Sequence, residues 1–412
     1  MANPIQANSN PEANSKRQKQ CYSNHHGHSR SREDAQPLIS GLPDHLAEVC
    51  LALVRQPALL SSVCHSWRRL IYSPSFPPFL SLYTVLSPTR SLGSDHNRHD
   101  SIQFLSYDPI SSKWDPLPPL PPTDPPLRLL LRHPSFISRN LPMQSVSASG
   151  NLVLLAATAD NFFPALSRPL VFNPLSRNWT FGPPLATPRR WCAAGSTHGA
   201  VYVASGVGSQ FSSDVAKSVE KWELQSQQTN AYNTNQIFLS SSSSRISCKW
   251  KWEKMKGLKD VRFCRDAVDA VGWRGKLCMV NVKGHAAKEG IVYDPEKQGW
   301  EDMPAGMVAG WRGPVAAMDE EVMYAVDEAN GVLSKYDPER DQWECLMDSE
   351  KLIGAQQMAA GGGRLCIISG QGIIVVVDVA VPKALRLWEM DAPPGFEAVA
   401  VHILPRMSSN SS

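Results

Sequence analysis

The chain has 412 residues, with 41 Lys and Arg against 38 Asp and Glu, and 42% of its residues are hydrophobic. This length allows one large domain and a small one, and the apolar content is enough for a sizeable core. A charge balance this close to neutral gives no basic surface of the size that nucleic-acid binding needs. The longest apolar runs, Leu152–Ala157 and Ile373–Val377, are too short to span a bilayer. We therefore predict neither a nucleic-acid nor a membrane partner.

The nine cysteines are scattered without a Cys-x-x-Cys pair. Such usage fits a reducing compartment better than a disulfide framework. The first residues are polar and carry no secretory pattern. We expect a soluble protein of the cytoplasm, the nucleus or both.

The first 37 residues are rich in Asn, Ser, Gln and His and poor in apolar side chains. Because such a segment cannot bury enough apolar surface to fold, residues 1–37 are predicted to be a disordered tail, as are residues 407–412. His25, His26 and His28 could ligate a metal ion, and Lys16–Lys19 could be a nuclear-targeting signal. A solvated polar run is the favoured interpretation of both.

Residues 38–73 predict two or three short amphipathic helices. After Leu42-Pro43-Asp44, the apolar side chains follow the i, i+3, i+4, i+7 spacing of one helix face at Leu46, Val49, Cys50 and Leu53. A second helical pattern runs from Leu60 to Ile71, between Pro57 and Pro74. A segment this short rarely buries enough surface to fold alone. Its apolar faces must pack on the rest of the chain or on another protein.

The same segment, bounded at residues 38–80, resembles an F-box. The shared features are the Leu42-Pro43 start, the Val63-Cys64-x-x-Trp67-Arg68 centre and the closing Leu70-Ile71, while the loop at Arg55–Pro57 is several residues shorter than usual. The resemblance implies docking on the Skp adaptor of a cullin-based ubiquitin ligase. The residues matched to the docking surface or its support are Leu42, Pro43, Leu46, Val63 and Trp67. An alternative stays open, in which they only hold the helices together and to the rest of the chain.

The remainder of the chain contains a repeated unit. An aromatic residue, Asp or Asn, and Pro are followed by Trp at a fixed distance, at Tyr107–Trp114, Phe172–Trp179, Tyr293–Trp300 and Tyr336–Trp343. Looser copies end at Trp252 and Trp388. An Asx-Pro turn joins two strands in each copy, and identical spacing in four copies indicates one repeated supersecondary unit. A sheet of three or four strands cannot bury both faces alone, so each Trp should pack against the neighbouring sheet. Six units predict a six-bladed β-propeller over residues 81–406.

These repeats resemble degenerate kelch repeats. The features that carry the resemblance are Arg189–Gly206 followed by Ser218-Val219-Glu220, and the Tyr-Asp-Pro…Trp…Met-Pro endings. Ser205-Gly206 and Ser369-Gly370 stand where kelch strands carry paired glycines. The resemblance implies a mostly β protein, a kelch-type propeller preceded by a small α-helical F-box. The polar stretch at residues 225–248 is interpreted as a low-complexity loop within the third blade.

The last predicted strand of the chain bears on how the ring of blades closes. The strand Glu397–Leu404 follows the last Trp unit, while the first blade, which starts at Leu80, lacks a leading strand. We predict that the last strand completes the first blade and so removes a free edge.

Arg190, Arg265 and Arg312 precede aligned strand positions by twelve or thirteen residues, which predicts equivalent loops near the central channel. Together they could bind an acidic peptide or carboxylate of a target. In the open alternative, each pairs with a carboxylate of its own blade.

No catalytic constellation is visible in the sequence. It has no metal-spaced His and Cys set, no Gly-rich phosphate loop and no Gly-x-Ser-x-Gly elbow, so we predict no enzyme, cofactor or metal. The resemblance implies a substrate-recognition subunit of a Skp–cullin–F-box ubiquitin ligase, with an unknown protein as its substrate. The alternative is a kelch interaction scaffold without a ligase role. A metal-dependent enzyme, like the kelch copper oxidases, is a distant third.

Overall fold

The computed structural model describes residues 37–54, 57–73, 76, 79–89, 102–122, 144–156, 166–208, 213–224, 251–258, 263, 267–283, 286–370, 372–381 and 384–407. Within these residues, three short N-terminal helices precede six four-stranded antiparallel sheets. The innermost strands of the six sheets contact one another in a closed ring. The predicted six-bladed β-propeller is therefore confirmed. The polar stretch at 225–248 lies outside the described residues.

The helical segment contains α1 (Asp44–Ala52), α2 (Pro57–Val63) and α3 (His65–Ile71). The second apolar pattern is divided between two helices, because Cys64 is extended, with φ −159° and ψ 170°. The backbone N–H of Trp67 donates to Cys64 Sγ at 3.5 Å, which caps α3. Pro57 is the first residue of α2, a position where the missing N–H costs nothing.

The blades are numbered in chain order. The strands of blades 1 and 2 are β1 (Leu80–Pro88), β2 (Gln103–Asp108), β3 (Lys113–Pro116), β26 (Phe396–Pro405), β4 (Gln144–Ala148), β5 (Asn151–Ala156), β6 (Leu170–Asn173) and β7 (Asn178–Phe181). Blade 3 consists of β9 (Ala193–Thr197), β10 (Ala200–Ala204), β12 (Val219–Glu223) and β13 (Glu253–Lys254). Strand β8 (Arg189–Arg190), which precedes β9, and strand β11 (Val207–Gly208), which follows β10, form a small two-stranded ribbon. Helix α4 (Ser213–Lys217) follows β11.

Each of the last three blades consists of four strands that are consecutive in the chain. Their strands are β14 (Ala267–Trp273), β15 (Lys276–Lys283), β16 (Ala286–Asp294) and β17 (Gly299–Asp302) in blade 4, β18 (Val315–Met318), β19 (Val322–Asp327), β20 (Val332–Asp337) and β21 (Gln342–Asp348) in blade 5, and β22 (Gln357–Gly361), β23 (Arg364–Ile368), β24 (Ile374–Asp378) and β25 (Arg386–Met390) in blade 6. A short helix α5 (Ala305–Ala309) connects blades 4 and 5, and a 3₁₀ turn (Glu350–Leu352) follows blade 5.

The ring closes where the sequence predicts. Strand β26 is the innermost strand of blade 1 and pairs antiparallel with β1, from Leu80 opposite Pro405 to Pro88 opposite Phe396. On its other side, the buried His402 of β26 contacts two serines of β4. The N- and C-terminal parts of the propeller therefore share one sheet, and neither leaves a free edge there.

The repeated tryptophans hold successive blades together. Trp114, Trp179, Trp252, Trp300 and Trp343 each donate the indole N–H to a backbone carbonyl at the exit of the preceding blade, at 2.9–3.2 Å. Each also packs on an aromatic ring of the adjacent strand, with ring centroids 5.0–5.6 Å apart. The prediction that the tryptophans pack against the neighbouring sheet is confirmed for these five.

Trp388 departs from this pattern because its register differs. In blades 1, 2, 4 and 5 the Trp lies opposite the aromatic residue of the Asx-Pro unit, whereas in blade 6 the corresponding Val377 lies opposite Leu387. Trp388 is one residue further on, and a shift of one residue moves a side chain to the other face of a sheet. It is accordingly 37% exposed.

The two faces of the ring have different connections. Turns between first and second strands and between third and fourth strands form one face, which we call the near face. Connections between second and third strands and between blades form the opposite, far face. The helical segment packs on the near face, where Ile110 of the β2–β3 turn joins its core and Tyr72 contacts Asp108 at the end of β2.

Candidate functional site

The three helices share a small core of their own. Leu51, Leu60, Leu70, Ile71 and Phe76 are each 3–8% exposed and form one cluster. Four of these side chains come from the helices, so the helix faces that carry them point inward. Five residues of this size bury little apolar surface, and the cluster depends on its contact with the propeller.

A second set of apolar side chains on these helices points to solvent. The exposed fractions are 45% for Leu46, 61% for Val49, 78% for Leu53, 57% for Leu59 and 58% for Val63. The predicted apolar face of α1 is therefore the outward one, while Ala47 and Leu51 are buried. We call these five residues the apolar face. Several exposed large apolar side chains on one short segment are typical of a protein–protein contact.

The five residues predicted from the F-box motif differ in their surroundings. Pro43, Leu46 and Val63 are exposed, whereas Leu42 is half-buried and forms an isolated β-bridge with Ile39. Trp67 is also half-buried, and its indole N–H donates to the Leu38 carbonyl at 2.5 Å. The first three can touch a partner directly, while Leu42 and Trp67 hold the N-terminal segment in place. Whether they dock an adaptor stays a prediction.

The motif did not single out Leu59 as a contact residue. Leu59 lies on α2 and is 57% exposed, close to the value for Val63 on the same helix. The i, i+4 spacing of Leu59 and Val63 places both on one side of a helix. That spacing is the signal which could have identified Leu59.

The corner between α2 and α3 carries an exposed thiol. Cys64 Sγ lies 3.0 Å from Ser66 Oγ and accepts the backbone N–H of Trp67. These hydrogen bonds, chiefly the one with Ser66, hold the pKa of the Cys64 thiol below its usual value. Cys64 directly follows Val63 in the chain and is exposed.

Arg406 fixes the helical segment to the propeller. Its guanidinium lies over the rings of Tyr72, at 4.2 Å, and Phe79, at 5.3 Å. Its Nε is 3.6 Å from Asp108 Oδ2, which also accepts a hydrogen bond from the Tyr72 hydroxyl at 3.4 Å. Burial is the main cause that raises the pKa of Tyr72. Arg406 follows directly on β26, so ring closure and the position of the helices depend on neighbouring residues.

The far face contains the predicted arginines that the structure describes. Arg190 belongs to β8, in the connection between blades 2 and 3, and Arg312 lies in the connection between blades 4 and 5. The Arg312 side chain is 57% exposed, 3.8 Å from Asp327 Oδ2, and its Nε donates to the Ala309 carbonyl at 3.3 Å. Arg265 lies outside the described residues. A role of these three side chains in target binding stays a prediction.

Arg189, next to Arg190, is a structural residue. It is fully buried and forms an ion pair with Glu220, and its Nη1 donates to the carbonyls of Ser205 and Ser218 at 3.2 Å. The other Glu220 oxygen accepts the N–H of Ala186 at 3.0 Å. Removing one partner of such a buried charge pair strongly destabilises the folded protein, because the other charge is left buried without a partner. The ion pair ties the connection before blade 3 to strand β12.

The described residues contain neither a metal-binding cluster nor a membrane-spanning helix. No group of three or more His, Cys, Asp or Glu side chains there could hold a metal ion. No helix in the described part of the chain is long and apolar enough to cross a membrane.

Comparison with known proteins identifies relatives along most of the chain. No family model matches it. The F-box/kelch-repeat protein SKIP25 of Arabidopsis thaliana is 52% identical over 377 residues, which is 90% of each chain. The F-box protein AFR of the same plant is 24% identical over 301 residues, 72% of this chain and 70% of that protein. An aligned relative of this identity and coverage, together with the six-bladed ring and the helices before it, shows that the chain belongs to the F-box/kelch-repeat proteins.

Proposed function

We propose that this chain is the substrate-recognition subunit of a Skp–cullin–F-box ubiquitin ligase. The F-box docks a Skp-type adaptor, and through it a cullin, while the propeller binds a protein target. The chain itself is not an enzyme: it contributes proximity, and its partners perform the ubiquitin transfer. The names of its relatives, which are F-box proteins, support this proposal. It places the chain in the cytoplasm or nucleus.

The observation that carries the proposal is the apolar face. Its five side chains are 45–78% exposed although the adjacent core is closed. Each fully buried Leu or Val contributes about 1.5–3 kcal/mol relative to an exposed one. A partner that covers this face therefore gains several such contributions. Because the helices sit on the near face, a bound adaptor leaves the far face open for a target.

The test is a polar substitution in the apolar face. Val63→Ser should weaken binding of the full chain to a purified Skp-type adaptor about tenfold, or about 1.4 kcal/mol, because a hydroxyl replaces a methyl surface that docking buries. The melting temperature should not change, since the side chain is 58% exposed in the free protein. Isothermal titration calorimetry and thermal melting measure the two quantities.

A matched control is available on the propeller. Val381, in the turn between β24 and β25, is 57% exposed, nearly the same as Val63. Val381→Ser should leave adaptor affinity within twofold of the wild-type value. Equal affinity of Val63→Ser and wild type would refute docking through the apolar face.

The target-binding half is tested in cells. Proximity labelling by the full chain, with and without proteasome inhibition, should reveal proteins that accumulate only when degradation is blocked, and Val63→Ser should reduce that dependence. A scaffold without a ligase role instead predicts the same labelled proteins under both conditions. Charge reversal of Arg190, Arg265 and Arg312 together should remove the target from the labelled set if these side chains bind it.

A further inference from the structure

A cavity of about 520 Å³ lies where the helical segment meets the near face of the propeller. One wall is formed by the helical segment and the chain that leaves it, including Leu60, Phe79 and Leu80. The other is formed by blade 6, including Arg364 and Trp388. Ligand sites of this size are usually lined by apolar and aromatic side chains with a few polar groups, and they occur preferentially between domains.

Trp388 is available for a ligand because of its register. The other five repeated tryptophans use their indole N–H to hold the preceding blade. Trp388 lies opposite Val376 and faces the other way, and among the described residues its indole has no hydrogen-bond partner. It is 37% exposed, and Leu80 on the opposing wall is 40% exposed. Both apolar surfaces are thus left uncovered inside a cavity.

Arg364 gives the cavity a positive charge. Its guanidinium lies over the Trp388 ring, 5.8 Å from the ring centre, which is a cation–π contact. Within the described part of the chain, the guanidinium has no carboxylate within 4 Å and no hydrogen bond. A planar guanidinium with free N–H groups suits a carboxylate or similar oxyanion.

A thiol and a carboxylate also line the cavity. The buried Cys366 thiol stays neutral, because burial raises its pKa to about 12. The exposed Asp319 belongs to blade 5 and also lines the cavity. Its negative charge repels a second anionic group.

From these observations we propose that the cavity binds a small amphiphilic monoanion, with a flat apolar body between Trp388 and Leu80 and an oxyanion head on Arg364. Because the walls come from both the helical segment and blade 6, such a ligand bridges the two. It would hold the F-box in a fixed orientation on the propeller. This site is separate from the apolar face and from the far face.

The test compares two probes with the same kind of body. The first, 8-anilinonaphthalene-1-sulfonate, is an anion, and the second, N-phenyl-1-naphthylamine, is its uncharged counterpart. Fluorescence titration of the full chain should show that Arg364→Gln weakens binding of the anion at least tenfold, because a charge-assisted contact is lost. Binding of the neutral probe should change less than twofold. Arg364→Lys keeps the positive charge and should retain most of the anion affinity.

Two controls separate this site from other surfaces. Arg386→Gln removes an exposed arginine of the same blade that does not line the cavity, and it should not affect either probe. Val63→Ser reduces the apolar face and should leave the Arg364-dependent binding unchanged. The proposal is overturned if Arg364→Gln leaves binding of the anion unchanged, or if it weakens both probes equally, as a general loss of apolar surface would.

Discussion

His402 shows how a single buried residue joins two blades. It is 5% exposed, and its Nε2 and Nδ1 lie 2.8 and 3.1 Å from the hydroxyls of Ser145 and Ser147. A neutral imidazole has one donor and one acceptor nitrogen, which two serine hydroxyls can satisfy. Burial lowers the pKa of His402 to about 4, so the ring is neutral at physiological pH.

This burial makes the stability of the ring depend on pH. As the pH falls, His402 takes up a proton near pH 6.5 in the unfolded chain but only near pH 4 in the folded one. The contribution of the neutral His402 to the free energy of unfolding is therefore complete above pH 6.5 and is lost as the pH falls toward 4. The full loss is about 3 kcal/mol, from a pKa difference of about 2.5 units. Melting temperatures at pH 7 and pH 5 should therefore differ more in wild type than in His402→Gln. Equal differences would show that His402 does not titrate in this way.

The burial of Arg189 could not be predicted from the sequence. Arg189 and its neighbour Arg190 both belong to the short strand β8. The structure buries Arg189 against Glu220, with no solvent exposure. The sequence places two arginines before blade 3 but contains nothing local that predicts the burial of Arg189, because the fold brings strand β12 and its Glu220 to this connection.

At the level of elements, the Asx-Pro turn and the tryptophan together position the outer strand of a blade. In blades 1, 2, 4 and 5 the Asp or Asn side chain accepts a backbone N–H two residues later at 2.9–3.0 Å, which sets the turn. The Trp is the second residue of the strand that follows, and it lies opposite the aromatic residue. Fixed spacing in sequence thus becomes fixed register, and the indole N–H reaches the preceding blade.

The contribution of the tryptophan can be measured in blade 2. Trp179 is 6% exposed and donates to the Pro118 carbonyl at 2.9 Å. Trp179→Phe keeps an aromatic ring but removes the donor and part of the ring volume, which should cost about 1–3 kcal/mol. The midpoint of guanidinium unfolding, followed by circular dichroism, measures this loss.

Trp388 provides the comparison within the same fold. Its indole makes no such bond among the described residues and is 37% exposed, so Trp388→Phe should change stability by less than about 0.5 kcal/mol. Equal losses in the two variants would mean that ring volume alone matters and that the indole contact between blades contributes nothing.

For the whole molecule, closure by β26 is the main long-range constraint. This strand pairs with β1 more than 300 positions earlier in the chain, and Arg406 after it packs on the helical segment. Loss of β26 would expose the β1 edge and the adjacent core residues of blades 1 and 2, including Val85 and Leu154.

Truncation tests this arrangement directly. A chain that ends before Glu397 should lose solubility or melt without cooperativity, whereas removal of residues 408–412 alone should have little effect, because every strand remains. Sedimentation of the expressed protein and differential scanning calorimetry report the two properties. A truncated chain with the melting profile of the full one would contradict closure through β26.

The sequence by itself determined the repeat, the number of blades, the closing strand and the helical segment, because each depends on local spacing of apolar, aromatic and turn residues. Tertiary structure alone decided which side chains these elements leave exposed. The outward position of Val63 follows from the packing of the helices, while the burial of Arg189 and the reversed orientation of Trp388 follow from the registers of the β8–β11 and β24–β25 pairs. Such pairings have no signature in any short stretch, since one residue of register decides whether a side chain enters a core or a cavity.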